Sequence, residues 1–195
     1  MDQPSEREEE TTERKTKESK EKGFWQLHNR YILTQTRTGL CVLDQHAAHT
    51  RILFEKALSA TEESLPGTQQ LLFAQTVELA ASEFSLLKEL LPIIQRMGFS
   101  IQLLSGNTAI INGVPADIDI GDERLVLREM LQQYRELNHK LSLDARNKVA
   151  IAFASRTAIP AGKRLSEPEM EMLIDQLFAC DVPYHDPLQK PTLIY

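Results

Sequence analysis

Asp44 and His46 stand two residues apart in LCVLDQHAAHTRILFEKAL, where an apolar run gives way to a helical pattern. An aspartate at a helix N-cap and a histidine in the first turn can point at one spot, and a residue four beyond the histidine lies one turn along the same face. A carboxylate, an imidazole and a second carboxylate so placed make half of a divalent-metal site, because oxygen and imidazole donors together suit zinc or manganese. The third place is held by Thr50, whose neutral hydroxyl is a weak ligand, and His49, three on from His46, is a substitute. Spacing of this kind is a weak signal. The plainer reading is a helix cap beside a hydrogen-bonded histidine.

The elements that must position these residues follow from the apolar pattern. GFWQLHNRYILTQ is rich in aromatic and β-branched residues and predicts a strand. A turn at residues 36–39 then leads into LCVLD, so a hairpin is expected. The helix opens near Asp44, carries Ala47, Ala48, Ile52, Leu53 and Leu58 at helical spacing, and ends around residues 62–65, before Pro66-Gly67. QLLFAQTVELA predicts a further strand. SEFSLLKELLPIIQRMG predicts a helix capped by Ser82, stopped by Gly98, and kinked or shortened by Pro92. FSIQLLSG and NTAIINGV pair across Gly106-Asn107, Pro115 and Gly121 mark a loop, and a helix follows over residues 123–140. This β-α-β-β-α set is expected to bury a small core of its own. LDARNKVAIAFASRTAI is too densely apolar for an exposed face and predicts a central helix. IPAGKRL breaks it, and Ser166 with Glu169 forms a capping box for the next helix. A Pro-rich loop and a short strand close the chain. No internal repeat is visible.

The chain has 195 residues, 42% hydrophobic and 26% charged, with a formal net charge of −6. That length holds one ordinary domain or two small ones. The acidity argues against a broad phosphate-binding face but permits local basic patches. Lys163, Arg164 and Lys190 are candidates for a basic rim toward DNA. Cys41 and Cys180 lie in apolar surroundings and read as reduced, buried thiols. No window approaches the roughly 18 apolar residues that span a bilayer, and no signal core opens the chain. A cytoplasmic protein with no membrane partner is expected. Residues 1–22 are mixed-charge with little to bury and predict a disordered linker, so the chain reads as the C-terminal part of a longer one.

DQHAAHTRILFE resembles the DQHAxxExxxxE signature of the C-terminal domain of the MutL mismatch-repair family, with Glu55 on the second glutamate. GFWQLHNRYILTQ resembles the entry strand of that domain, FSIQLLSGNTAIINGVP part of its regulatory subdomain, IAFASRTAI its ACR segment, and DPLQKPT its closing CPHGRPT box. The likeness covers about Gly23 to Tyr195. It implies an α+β, two-subdomain fold: a dimerisation subdomain over residues 23–66 and 142–195, with an inserted β-α-β-β-α regulatory subdomain over residues 67–141. It further implies a homodimer that couples mismatch recognition to downstream repair, joined by a linker to N-terminal ATP-binding arms. The mismatch-recognition protein MutS and DNA are the implied partners. No phosphate-cradling Gly-rich loop lies in this segment.

Many members of the family also nick DNA with a metal held by the signature Asp, His and Glu and the closing Cys and His. Here the resemblance breaks. Thr50 stands at the glutamate, Ser155 at the ACR cysteine, Asp186 at the closing cysteine and Leu188 at the closing histidine. Asp44, His46 and Asp186 are then the remnant of a metal site. The expectation is a degenerate site, with no cofactor and no catalytic residue in this domain. The alternative is a metal-dependent nickase using Asp44 and His46 with His49, Asp186 and His185, and zinc or manganese as its ion. A blander third reading is a binding module with neither metal nor stable dimer. Gln69, Leu72 and Phe73 resemble a sliding-clamp-binding peptide, against the plainer reading that LLF opens a strand and faces the local core. The aliphatic residues of LIDQLF and TLIY read as core, and in the family such end regions build the dimer sheet.

Overall fold

A computed structural model describes residues 23–37, 39–59, 67–118 and 121–195. The expected linker at residues 1–22 and the expected helix end at residues 62–65 lie outside the described residues.

The first expected strand is two strands. β1 (Phe24–Leu27) and β2 (Tyr31–Thr36) pair antiparallel about a tight turn. His28 and Asn29 take φ of 52° and 49°, and the Arg30 N–H donates to the Leu27 carbonyl at 3.1 Å. Two successive left-handed residues suit a tight antiparallel turn, here of three residues between the paired Leu27 and Tyr31, and asparagine tolerates that region better than most residues. The polar HNR interruption is therefore a turn inside the aromatic and β-branched run. β3 (Gly39–Asp44) pairs with β2, and β7 (Leu193–Ile194) from the chain's end pairs with β3, giving the order β1-β2-β3-β7.

Helix α1 (Gln45–Ser59) leaves β3 directly at Asp44. It packs with α5 (Glu167–Phe178) on one face of this sheet. Ile32, Leu43 and Leu193 of the strands meet Ala48 of α1 and Leu173 and Leu177 of α5 in one cluster. Ser166 and Glu169 form the expected box: the Ser166 N–H and hydroxyl both donate to Glu169 Oε2, at 2.7 and 2.6 Å.

The inserted unit runs β4 (Thr68–Glu78), α2 (Ala81–Arg96), β5 (Ser100–Leu103), β6 (Thr108–Pro115) and α3 (Glu123–Lys140), with sheet order β4-β6-β5. The β5–β6 turn is where expected, with Gly106 and Asn107 at φ of 73° and 59°. The cap of α2 is Ala80, not Ser82. Glu83 reaches back to accept from the Ala80 N–H at 2.9 Å, which fastens the first turn two residues earlier than a cap at Ser82 would. Ser82 instead accepts from Arg135 of α3 at 3.1 Å. Pro92 does not shorten α2, which continues to Arg96.

This unit does not close a core of its own. Leu87, Ile94, Ile111 and Leu127 belong to a cluster that continues into Val149 and Phe153 of α4 (Ala145–Thr157). Every residue of α4 from Lys148 to Ala154 is buried. A helix apolar on all sides must be covered on all sides. α4 is thus the shared middle of both units, and the phenyl rings of Phe99 and Phe153 meet edge to face across that seam.

β4 carries a large bulge. Gln70 pairs with Gly113 and Gln75 with Ile111, so five steps along β4 face two along β6. The strands crowd at the bulge's near end. A Cβ on Gly113 would sit 2.7 Å from the Thr68 methyl and 3.0 Å from the Gln69 carbonyl oxygen. Gly113→Ala should therefore cost about 1–3 kcal/mol, as overpacking in a fixed backbone does. Urea unfolding of the variant checks this, and an unchanged midpoint would show that β4 can yield.

Candidate functional site

Asp44 ends β3 and caps α1, and it is buried. Its backbone N–H donates to the Thr192 carbonyl at 2.9 Å, tying it to the closing strand. Its Oδ1 accepts the Ala47 N–H at 3.0 Å, the expected N-cap bond. Its Oδ2 accepts the Lys190 ammonium at 2.6 Å, and the Arg30 guanidinium lies 3.7 Å away. Burial pushes this carboxyl up. The Lys190 and Ala47 hydrogen bonds and the two cations outweigh that, so its pKa is held below the ordinary carboxylate range.

The next residues fasten loops. Gln45 is fully buried; its side-chain amide donates to the Asn29 carbonyl at 2.7 Å and to the Lys163 carbonyl at 3.2 Å, and accepts from Gln26 at 2.8 Å. Gln26 in turn receives the Leu165 N–H at 3.1 Å. His46 and His49 grip one residue from both sides. His46 Nδ1 donates to the Ile159 carbonyl at 3.0 Å, while His49 Nδ1 accepts the Ile159 N–H at 2.9 Å. His49 is therefore neutral as an acceptor, and burial depresses its pKa to about 4. Thr50 turns its hydroxyl back onto the His46 carbonyl at 2.8 Å.

Further along α1, Arg51 donates through Nε to the His185 carbonyl at 2.6 Å. Glu55 accepts the Asp181 and Val182 N–H groups at 2.7 and 3.1 Å. Beside it, burial and the Glu55 charge push the Cys180 thiol up to about 11. Cys41 and Cys180 are both free thiols, but Cys180 is only partly buried, two residues past the end of α5.

In the closing loop, Asp186 Oδ1 accepts the Leu188 and Lys190 N–H groups at 2.9 and 2.8 Å. It is a turn organiser. Gln189 sits at φ 68°, in the left-handed region, at the place where the resembling box has glycine. Leu188 is half-exposed and the His185 side chain is exposed.

These donors do not suit a divalent ion. Both oxygens of Asp44 are taken, one of them by a cation, and Thr50 is spent on its own helix. Leu188 has no donor. Ser155 lines a different depression with Glu129, Gln132, Gln133, Glu136 and Arg156. Among the described residues no group of three or more His, Cys, Asp or Glu is placed to hold a metal. Lys163, Arg164 and Lys190 do not form one basic rim either, because Lys190 is turned onto Asp44.

Two apolar features remain. On the side of the first sheet facing away from α1 and α5, Trp25, Leu33, Val42 and Ile194 lie in register across all four strands. Trp25 and Ile194 are 56% and 60% exposed. On the β4 bulge, Leu72 and Phe73 are 88% and 74% exposed and Gln69 is exposed, whereas Leu71 packs on the core. The expectation that LLF faces inward therefore holds for Leu71 alone.

Gln45, Gln26, Arg51 and Lys190 carry more of this region than spacing suggests. These bonds join them to backbone groups, to a carboxylate and, for Gln26 and Gln45, to each other, across 16 or more residues of sequence, so no local signal marks them.

The His49 arrangement has a pH consequence. The unfolded chain takes up a proton near the ordinary value of 6.5, while the folded chain does so only near 4. Stability contributed by neutral His49 is full above pH 6.5 and falls as pH drops toward 4, by up to about 1.4 kcal/mol per unit. His49→Asn, which keeps a short acceptor and cannot titrate, should flatten that slope. Urea unfolding at about pH 7 and about pH 5 reads it, and parallel slopes for both proteins would refute the assignment.

The model for the MutL C terminal dimerisation domain matches residues 24–165. The DNA mismatch repair protein MutL of Chloroherpeton thalassium is 45% identical over 174 residues, covering 89% of this chain and 27% of its own length. That of Chlorobaculum parvum is 40% identical over 193 residues, 99% of this chain and 30% of its own length. The chain thus spans under a third of the curated relatives it matches. The matched region runs from β1 to the residue before the α5 cap, and the chain belongs to the MutL C-terminal dimerisation domain family.

Proposed function

We propose that this chain is the self-association module of a MutL-type mismatch-repair protein, pairing two copies through the outer face of its first sheet. The observation that carries the reading is the apolar row Trp25, Leu33, Val42 and Ile194, which runs from one edge of the sheet to the other and is open at both ends, with Trp25 and Ile194 exposed and Leu33 and Val42 half-buried between them. A solvated antiparallel sheet normally shows polar residues on its open face. A second copy is the occupant that the family's description favours, and one face serves both copies if they meet about a two-fold axis. The edges at β1 and β7 flank that row and add backbone groups for pairing.

Self-association at this end raises the local concentration of whatever each copy carries at its other end. For a mismatch-repair protein these would be ATP-binding arms that close on DNA in the cytoplasm, with MutS upstream. Among the described residues no helix is long and apolar enough to cross a membrane. A nicking role through Asp44 and His46 draws less support, since their side chains already hold Lys190, Ala47 and Ile159.

A second contact has its own observation. We propose that Leu72 and Phe73, held out on the β4 bulge beside Gln69, dock into an apolar groove of the replication sliding clamp. Two adjacent large apolar side chains this exposed form a small apolar patch of the kind a partner's groove covers.

Two outcomes test these readings. Trp25→Glu with Val42→Glu should halve the solution mass in sedimentation equilibrium while circular dichroism stays unchanged. A wild-type chain that is already monomeric at micromolar concentration would end the dimer reading. Gln69→Ala and Phe73→Ala should each weaken clamp binding by about tenfold or more, with thermal unfolding unchanged, since both side chains lie outside the core. Equal binding by wild type and variants would remove the clamp reading alone.

A further inference from the structure

We propose that Lys190 is a tethered counter-ion. Its ammonium supplies, from within the chain, the cation that bridges the Asp44 carboxylate to the closing loop, and so makes that junction independent of divalent metal.

A carboxylate buried at a strand–helix boundary needs a positive partner. The resemblance implies an ion shared between the DQHA segment and the closing box in the family's metal-bearing members, with an arginine in the box where this chain has Lys190. In this chain the residues of those two segments do not suit an ion, yet the segments are still joined. Lys190 belongs to the closing loop, and its Nζ lies 2.6 Å from Asp44 Oδ2. Backbone bonds hold it there from both sides. The Lys190 carbonyl accepts the Asp186 N–H at 2.8 Å, the Lys190 N–H donates to Asp186 Oδ1 at 2.8 Å, and two residues on the Thr192 carbonyl accepts the Asp44 N–H at 2.9 Å. Asp186, at the place of a family ligand, thus orients the lysine that answers the charge. Arg30, 3.7 Å from Asp44 and half-exposed, is the lesser cation. The pairing is intramolecular, so it holds whether or not a second copy covers the outer sheet face.

Thermal unfolding in EDTA and in MnCl2 tests this. The wild-type Tm should be the same in both, because Mn²⁺ finds Asp44 already neutralised. Lys190→Met should lower the Tm by roughly 4–8 °C, the loss expected for stranding one member of a half-solvated pair. Lys190→Arg should keep most of the wild-type Tm. Asp44→Asn with Lys190→Met should be more stable than the sum of the single losses predicts, since no charge is left stranded. The double variant keeps the test readable should Lys190→Met fail to fold. Three results would overturn the proposal: strictly additive losses, a Lys190→Met Tm equal to wild type, or a Mn²⁺-induced rise in the wild-type Tm that Asp44→Asn abolishes.

Discussion

The Asp44 carboxylate sits where β3 ends and α1 begins, with hardly any access to water. Ionised, it costs several kcal/mol to bury unless it is hydrogen-bonded and paired. Here it is both. The cap bond to Ala47 starts the helix, and the Lys190 ammonium brings in a segment 146 residues away. The backbone of the same residue receives the closing strand through Thr192. One residue therefore sets the direction of α1 and the position of β7, the fourth strand of the sheet. The outer apolar row depends on that fourth strand, because Ile194 supplies its end.

From this corner α1 works as a hub. Gln45 pins the β1–β2 turn and the loop before α5, His46 and His49 hold Ile159, and Arg51 and Glu55 hold the segment after α5. Three loops with little regular structure are thus fastened to one helix by side chains that are buried (Gln45, Arg51) or partly buried (His46, His49, Glu55). α4 plays the complementary apolar part. Its buried stretch lies against α1 and also completes the core of the inserted unit. Hinge motion between the units would have to expose that stretch, so the two are better regarded as halves of one packed body than as separable domains.

The sequence shows helices and capping most clearly. Asp44, Ser166 and Glu169 announce helix starts because a cap is a local bond, made within three residues. The dense apolar run around Phe153 announces a central helix for the same local reason. The β1–β2 turn was hidden because His28 and Asn29 interrupt a run whose composition is strand-like on both sides. Ala80 as a cap was hidden because the bond comes from Glu83 rather than from the cap residue itself. At the candidate site, the departures from the resembling signature were legible as Thr50, Ser155 and Leu188. The Lys190–Asp44 bond was not, since the two residues meet only after the whole chain has folded, and a lysine on a loop reads as solvated or DNA-facing until its partner is known.

The residues that match the DQHA signature and those that depart from it differ physically. Asp44, Gln45, His46 and Glu55 match, and each has a partner beyond its own helix: Lys190 and Thr192, Asn29, Ile159, and Asp181 with Val182. Thr50, Ser155 and Leu188 depart, and among the described residues their side chains reach no distant segment through a polar bond: a bond within the same helix, the lining of a shallow depression, a half-exposed aliphatic group. Asp186 departs as well, but it takes up a fastening role of its own by ordering the loop that carries Lys190. A signature of this kind therefore mixes two demands. One is to hold a helix against three loops, which needs hydrogen-bonding side chains at fixed heights on α1. The other is to offer donors to an ion, which needs them to converge. The hydrogen bonds described here meet the first demand, and that demand is the one that keeps the sheet and its outer apolar row in place.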